Sequence, residues 1–372
     1  MITKEEFLNL RQISESFDIP GSFVTAEVIT NGNINSTYAV EFKNDGKLAK
    51  YILQRVNTYV FKNPEQIMSN IKLVTKHISD KIEKLGGNDF VTTLKFYDNK
   101  SGTLNYFDDG QGNFWRICDY IDSLTMNESN DTSVMKALGE AFGDFQNMLS
   151  DFDAEKLYET IPDFHNTKKR LKTLFEDAQK DEAGRAASVK KELDFFREYE
   201  ELAGTLTTMF ENGEIPARVT HNDTKLNNVL FDKEGKKPIA IIDLDTVMPG
   251  LASSDYGDAV RFACSTAAED ETDLTKISLD MAKFKAFTEG FVGKTAASLS
   301  KTEIETLPLG AITITIELAS RFLDDYINGD KYFKTRHVKH NLERAVCQIT
   351  LAKDMIDKKE KMDRFVKSLI SK

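Results

Sequence analysis

The segment Thr220-His221-Asn222-Asp223-Thr224-Lys225-Leu226-Asn227-Asn228-Val229 places a histidine two positions before an aspartate and an asparagine five positions after it, the spacing His-x-Asp-x-x-x-x-Asn. A second carboxylate, Asp243, closes the apolar run Ile239-Ala240-Ile241-Ile242. One carboxylate can take a proton; another, with an amide oxygen, can hold a hard divalent cation. Those are the groups that phosphoryl transfer from a nucleoside triphosphate requires. Asp223, in a polar loop, fits the base. Asn228 and Asp243 fit the Mg²⁺ ligands, and ATP is the expected donor. His221 is expected to orient the loop through backbone hydrogen bonds rather than to react. Asp245 follows Asp243 by two positions and faces the same side of an extended segment. It reads as an outer carboxylate of the metal site, as a second metal contact, or as the cap of the next turn.

These groups need elements that bring them together. Val229-Leu230-Phe231 reads as a strand, Asp232-Lys233-Glu234-Gly235 as a turn, and residues 239–242 as the returning strand. Such a hairpin sets Asn228 beside Asp243. Upstream, residues 4–17 show helical periodicity, and 23–29, 37–42 and 51–56 read as strands. A helix over 64–84 opens at Asn63-Pro64, and further strands are expected at 91–96, 103–107 and 114–120. From about residue 131 the pattern turns helical: 132–150, 167–180, 188–210, 255–265, 276–294, 301–327 and 337–369. The expected fold class is α+β and bilobal. A β-rich N-terminal lobe (1–122) would bind nucleotide, and an α-rich C-terminal lobe (123–372) would carry catalysis and substrate, with the site in the cleft between them.

On the nucleotide side, the loop Thr30 to Tyr38 is small and polar, and Asn31, Gly32, Asn33 and Asn35 are expected to lay backbone N–H groups over phosphates. The third strand should carry a cation to the α- and β-phosphates. Gln54 stands at that position, Arg55 faces the opposite side of a regular strand, and Lys50 has a similar problem of reach. Phosphate neutralisation would then rest on magnesium, the Gln54 dipole and another basic residue. Asp119, Tyr120 and Ile121 would lead into the inter-lobe hinge and read the adenine edge through backbone groups.

The net charge of −11 over 372 residues argues against nucleic acid or an anionic membrane as partner. Cys118, Cys264 and Cys347 form no C-x-x-C pair, so neither a zinc site nor a disulfide framework is indicated, as suits a reducing cytosol. The acidic start Met1-Ile2-Thr3-Lys4-Glu5-Glu6 does not read as a secretory signal. The stretch Leu307 to Ala319 is too short and too polar to span a bilayer. A cytoplasmic monomer is expected. His337 and His340, one helical turn apart, lack a third ligand nearby, and Asp258 with Arg261 reads as a structural helix ion pair.

Several longer strings carry a resemblance: Tyr51-Ile-Leu-Gln, Phe142-Gly-Asp-Phe-Gln-Asn147, Val219-Thr-His-Asn-Asp-Thr-Lys-Leu-Asn-Asn228, Ala240-Ile-Ile-Asp-Leu-Asp-Thr246, Met248-Pro-Gly250, Gly257-Asp258 and Phe287-Thr-Glu-Gly-Phe-Val-Gly293. Over nearly its whole length the chain resembles the aminoglycoside phosphotransferase and choline kinase superfamily, which is protein-kinase-like. Within it the chain is most similar to bacterial N-acetylhexosamine 1-kinases, and Gln54 agrees with that subfamily. The resemblance implies phosphorylation of the anomeric C1 hydroxyl of N-acetylglucosamine or N-acetylgalactosamine, giving the sugar 1-phosphate and ADP. It implies that Asp223 acts on the sugar hydroxyl and that Asn228 and Asp243 hold magnesium. Thr246, Arg321 and Tyr332 would line the sugar site with Asp223. Arg321 also stands out unaided, because a cation in an apolar helix needs an acceptor. The alternatives are an aminoglycoside, choline or homoserine kinase of the same fold, or a non-catalytic nucleotide-binding relative. The mostly basic stretch Lys331 to Arg344 disfavours polycationic aminoglycosides.

Overall fold

A computed structural model describes residues 2–30, 35–59, 61–86, 91–102 and 104–371. Helix α1 (Lys4–Ser14) starts where the Thr3 hydroxyl accepts the Glu6 N–H. Strands β1 (Ser22–Ile29), β2 (Ser36–Asn44) and β3 (Lys47–Val56) follow as an antiparallel meander. The β2–β3 turn is Asp45-Gly46, with φ of +49° and +81°, the geometry that Asp-Gly favours in a two-residue hairpin. Helix α2 (Pro64–Leu85) begins on a proline and ends at Gly86 in the left-handed conformation. After β4 (Thr92–Thr93), strands β5 (Phe107–Asp108) and β6 (Phe114–Asp119) complete a sheet of order β1-β2-β3-β6-β5. Its inner face and α1 enclose Leu10, Phe17, Phe42, Leu53, Trp115 and Ile117.

The remainder is mainly helical: α3 (Thr132–Met148), α4 (Thr167–Lys180), α5 (Lys190–Glu198) and α6 (Glu200–Glu211). Four short strands come next: β7 (Arg218–Thr220), β8 (Val229–Phe231), β9 (Pro238–Ile241) and β10 (Met248–Gly250). Then follow α7 (Ala252–Ala263), α8 (Met281–Thr295), α9 (Lys301–Glu305), α10 (Leu307–Ile327) and α11 (His340–Ile370). The architecture is therefore the expected α+β arrangement, a β-rich N-terminal region followed by a helical C-terminal one. Phe142, Tyr256, Phe287, Phe291 and Phe322 are fully buried in the large C-terminal core. The inner face of α2, with Ile67, Met68, Ile71 and Val74, belongs to this second core, so that helix ties the sheet to the helical body.

Some element boundaries differ from the sequence reading, for physical reasons. The run 301–327 breaks at Thr306, because Pro308 opens the next helix and cannot donate within a continuing one. The run 188–210 divides at Tyr199 into α5 and α6. The expected strand at 91–96 divides: Phe96 bridges Cys118 of β6, as expected, while β4 does not join the N-terminal sheet. It pairs in parallel with β9, Thr92 opposite Ala240 and Thr93 opposite Ile241. The sheet that carries the Asp243 strand thus takes one edge from the N-terminal region. Among the described residues, no helix is long and apolar enough to cross a membrane. Cys118, Cys264 and Cys347 are buried free thiols.

Candidate active site

The loop carrying Asp223 is fastened from behind by α7. Asp255 Oδ2 accepts the His221 N–H at 2.8 Å and Oδ1 accepts the Asn222 N–H at 2.7 Å. The Gln146 amide donates to the same carboxylate at 2.8 Å. One turn later Asp258 Oδ2 accepts the Thr224 N–H at 3.0 Å, while the Thr224 hydroxyl donates to the Asp255 carbonyl at 2.6 Å. Asp258 also pairs with Arg261 at 2.8 Å, so the helix ion pair read from the sequence has a second task, holding the loop. Asn222 sits at φ +63°, a conformation Asn tolerates better than most residues, and its amide donates to the Thr246 carbonyl at 2.9 Å.

His221 is fully buried between Phe142 and Phe145, with ring centroids 5.8 Å away on each side. Its Nδ1 accepts the Asp223 N–H at 3.3 Å, so the proton belongs on Nε2, which donates to the Ile242 carbonyl at 2.9 Å. The histidine therefore orients the loop and ties it to the residue before Asp243.

Asn228 Nδ2 donates to the Asp223 carbonyl at 2.8 Å and to Asp223 Oδ2 at 3.0 Å, which leaves the Asn228 amide oxygen for another ligand. Lys225 Nζ lies 2.7 Å from Asp223 Oδ1. Burial opposes the Lys225 charge, but Asp223 and Asp258 outweigh it and raise its pKa. The β8–β9 hairpin, with Val229 opposite Ile241, brings Asn228 and Asp243 to the same end, and the Ile242 N–H donates to the Asn228 carbonyl at 2.9 Å. Asp243 turns there at φ +62°, and the residue stays solvent-accessible. Desolvation by its surroundings, then Asp245, then Asp223 push its pKa upward. Crowded carboxylates beside a free amide oxygen form a hard-oxygen donor set of the kind Mg²⁺ prefers. Among the described residues, no group of three or more His, Cys, Asp and Glu forms a closed metal cage. A site built on Asn228 and Asp243 would be completed by phosphate and water oxygens, as is usual for this ion.

On the nucleotide side, Asn31, Gly32 and Asn33 lie outside the described residues. Asn35 reaches across the cleft: its amide donates to Asp245 Oδ2 at 2.8 Å, and its oxygen accepts the Asn57 N–H at 2.9 Å. Gln54 stands opposite Thr37 on one neighbouring strand and Arg116 on the other, so all three share one face of the sheet. Its Nε2 donates to Thr37 Oγ1 at 3.2 Å, and its Oε1 accepts from Arg116 Nε at 3.0 Å. Arg116 Nη1 in turn makes a short ion pair with Asp245 Oδ1, and both side chains are only 3% exposed. Asp245 is therefore the carboxylate partner of Arg116 and Asn35. Arg55 faces away, over the Trp115 ring at 6.0 Å, as expected. Asp119 ends β6 with its carboxylate accepting from the Tyr97 hydroxyl at 2.8 Å; Tyr120 is exposed and Ile121 half-buried. Leu124, just beyond, exchanges two backbone hydrogen bonds with Phe231, both 2.9 Å, so the segment that follows β6 runs beside the β8–β9 hairpin.

Residues 25–280 match the profile of the phosphotransferase enzyme family, APH. The chain belongs to this family. Solved structures share its fold at low identity. A microcompartment-associated aminopropanol kinase superposes with a TM-score of 0.60 at 16% identity, covering 94% of this chain and 98% of its own. A spectinomycin phosphotransferase, solved with ADP and its antibiotic, gives 0.56 at 12%, with coverage of 96% and 100%. Choline kinase from Cryptosporidium parvum gives 0.55 at 15%, with 98% of both chains covered. This is therefore a member of the phosphotransferase enzyme family with the protein-kinase-like fold.

In this phosphotransferase the residues expected at the acceptor come from three elements. Thr246 follows the Asp243 turn and donates its hydroxyl to the His221 carbonyl at 2.6 Å, directly behind Asp223. Arg321 on α10 is framed by the rings of Phe164 (5.5 Å), Tyr332 (6.0 Å) and Phe333 (5.6 Å). Burial and then neighbouring Arg170 lower its pKa, against the pull of Glu317. Tyr332 is exposed, but its backbone is fixed: Asp325 accepts the N–H groups of Lys331, Tyr332 and Phe333 at 2.8–2.9 Å. Glu317 takes the His165 ring at 2.8 Å and the Thr167 hydroxyl at 2.7 Å.

Two positions of consequence escaped the sequence reading. Asp255 carries no local mark, since its partners lie 33 and 34 residues upstream. Arg116 did leave a signal, a cation inside the apolar strand Phe114-Trp115-Arg116-Ile117-Cys118. A buried charge of that kind demands a partner.

Proposed function

We propose that this phosphotransferase moves the terminal phosphate of ATP, held by Mg²⁺, to the anomeric C1 hydroxyl of an N-acetylhexosamine, releasing ADP and the sugar 1-phosphate. Asp223 would accept the hydroxyl proton as the new P–O bond forms. Asn228 and Asp243 would hold the ion that neutralises the developing charge. Lys225, already beside Asp223, would stand over the transferred group.

The observation that carries the acceptor reading is Arg321. Its guanidinium is framed by three aromatic rings, with the Arg170 charge opposing it and the Glu317 charge supporting it. A guanidinium at the acceptor disfavours a cationic acceptor such as an amino alcohol or an aminoglycoside. It suits a neutral acceptor rich in oxygen, whose hydroxyls and amide carbonyl accept from guanidinium and whose ring face packs on tyrosine. The test is phosphorus NMR of the products from ATP, Mg²⁺ and a panel of N-acetylhexosamines, hexoses, choline, aminopropanol and kanamycin. An anomeric phosphate on an N-acetylhexosamine supports the assignment. Transfer to an amino alcohol or an antibiotic alone overturns it.

A further inference from the structure

We infer that Arg116 is the cation that grips the non-transferred phosphates of the nucleotide, with Asp245 and Gln54 as its positioning residues. The inference rests on the nucleotide reading above and adds the group missing from the third strand. Three observations converge on it. First, strand register sets Arg116 directly opposite Gln54, on the sheet face that holds Gln54 and Thr37. Its Nε lies 3.0 Å from Gln54 Oε1, so the guanidinium sits at the end of the side chain at residue 54. Second, the guanidinium reaches the carboxylate end of the metal hairpin. It pairs with Asp245, two residues beyond Asp243. A cation held there stands beside the segment expected to bind the metal of a metal-bound polyphosphate. Third, the guanidinium is only partly used. Nε is taken by Gln54 and Nη1 by Asp245 with Met68 Sδ at 3.8 Å, while Nη2 has no hydrogen-bond acceptor among the described residues.

The chemistry explains why both partners are needed. An arginine that is 2% exposed keeps its charge only if a carboxylate stands against it. Asp245 supplies that carboxylate from the segment that also carries Asp243, so cation and metal site are fixed relative to each other across the cleft. Asn35, from the end of the loop expected to cover the phosphates, bonds the other oxygen of Asp245 at 2.8 Å. Gln54, neutral and accepting from Nε, aims the guanidinium without adding a second charge. The planar fork then presents Nη2 to an oxyanion. The ligand recognised is a nucleoside di- or triphosphate, through its phosphates and not its base.

The test compares adenosine with ADP and MgATP by calorimetry on the full chain, for wild type, Arg116→Gln, and the exchange variant Arg116→Gln/Gln54→Lys. Wild type should bind ADP more tightly than adenosine. In Arg116→Gln the ADP affinity should fall about 10- to 100-fold, the worth of one or two charge-assisted hydrogen bonds, with adenosine affinity unchanged. The exchange variant restores a cation on the usual strand and should recover part of the loss. Equal weakening of adenosine and ADP, or an unchanged ratio, overturns the role of Arg116. If wild type binds no nucleotide at all, the kinase reading itself falls. Thermal unfolding of each variant separates a misfolded protein from a weakened site, and the exchange variant keeps the question open to measurement if Arg116→Gln alone unfolds.

Discussion

Asp255 holds Asn222 by a 2.7 Å hydrogen bond from its backbone N–H, at the residue whose positive φ turns the chain into Asp223. The same carboxylate holds the preceding N–H, that of His221. Two consecutive donors on one buried carboxylate fix the direction in which the next side chain leaves the loop. Asp255→Asn would set an NH₂ against at least one of these donors. It should cost about 2–3 kcal/mol of stability, the penalty of an unsatisfied buried donor. It should also lower kcat by more than tenfold while the KM for ATP changes little. Urea unfolding and steady-state kinetics measure both, and a kcat within twofold of wild type would remove Asp255 from the positioning of the loop.

Asp223→Asn should lower turnover by about 10²- to 10⁴-fold, the usual worth of general-base assistance. Binding of ATP, measured by calorimetry, should stay close to wild type if the residue acts on the acceptor as proposed. Parallel loss of binding and turnover would assign Asp223 to the nucleotide or to the fold.

Asp243→Ala should act through the metal. Its activity should need far more magnesium for half-saturation, and the stabilisation that MgATP confers over ATP alone should disappear from thermal unfolding curves. A magnesium titration superposable on that of wild type would strike it from the ligand set.

Gly257→Ala sets two effects against each other. In an exposed helix the change would stabilise by about 1 kcal/mol through propensity. Here the new methyl would stand 2.4 Å from the Gly310 carbonyl oxygen, and α7 and α10 would have to separate. Overpacking wins, with an expected net loss of about 1–3 kcal/mol. Because α7 carries Asp255, activity should fall with stability. A melting temperature at or above that of wild type would show that the helices adjust freely.

Asp324 gives a pH prediction. Partial burial, then Asp177 and Asp325, push its pKa up to about 6. The folded protein therefore holds this proton more tightly than the unfolded chain, whose value is about 4. The associated stability is complete below about pH 4 and is lost as pH rises through about 6. Asp324→Asn removes the titration. It should be more stable than wild type at pH 7.5 by up to about 1 kcal/mol, a value reduced from the full linkage figure because solvent screens the group. The advantage should vanish toward pH 4. A difference that is constant between pH 4 and 8 would exclude Asp324 as its source.

Much of the loop that carries Asp223 is legible because its information is local. His221, Asp223 and Asn228 lie within eight residues, and a short hairpin suffices to add Asp243. Strand and helix periodicity expose the α+β order for the same reason. Local signals carry no further. That Gln54 is neutral shows in the sequence, but what stands beside it does not, because a cross-strand neighbour is set by register between segments 62 residues apart. The role of Asp245 stays open in the sequence because its partner Arg116 lies 129 residues away. The run 91–96 reads as one strand, yet it divides: Thr92–Thr93 pairs with β9 while Phe96 bridges Cys118 of the N-terminal sheet.

The sequence by itself determined where the side chains proposed for the chemistry stand along the chain and how closely they are spaced. Short-range spacing and turn propensity are properties of neighbouring residues. Only the tertiary structure decided which charges face one another. Arg116 with Asp245 and Asp255 with the His221 backbone are pairings made when sheet register and helix packing bring distant segments into contact. Inside that packing a charge or a backbone donor removed from water must find its complement, and that requirement selects one arrangement.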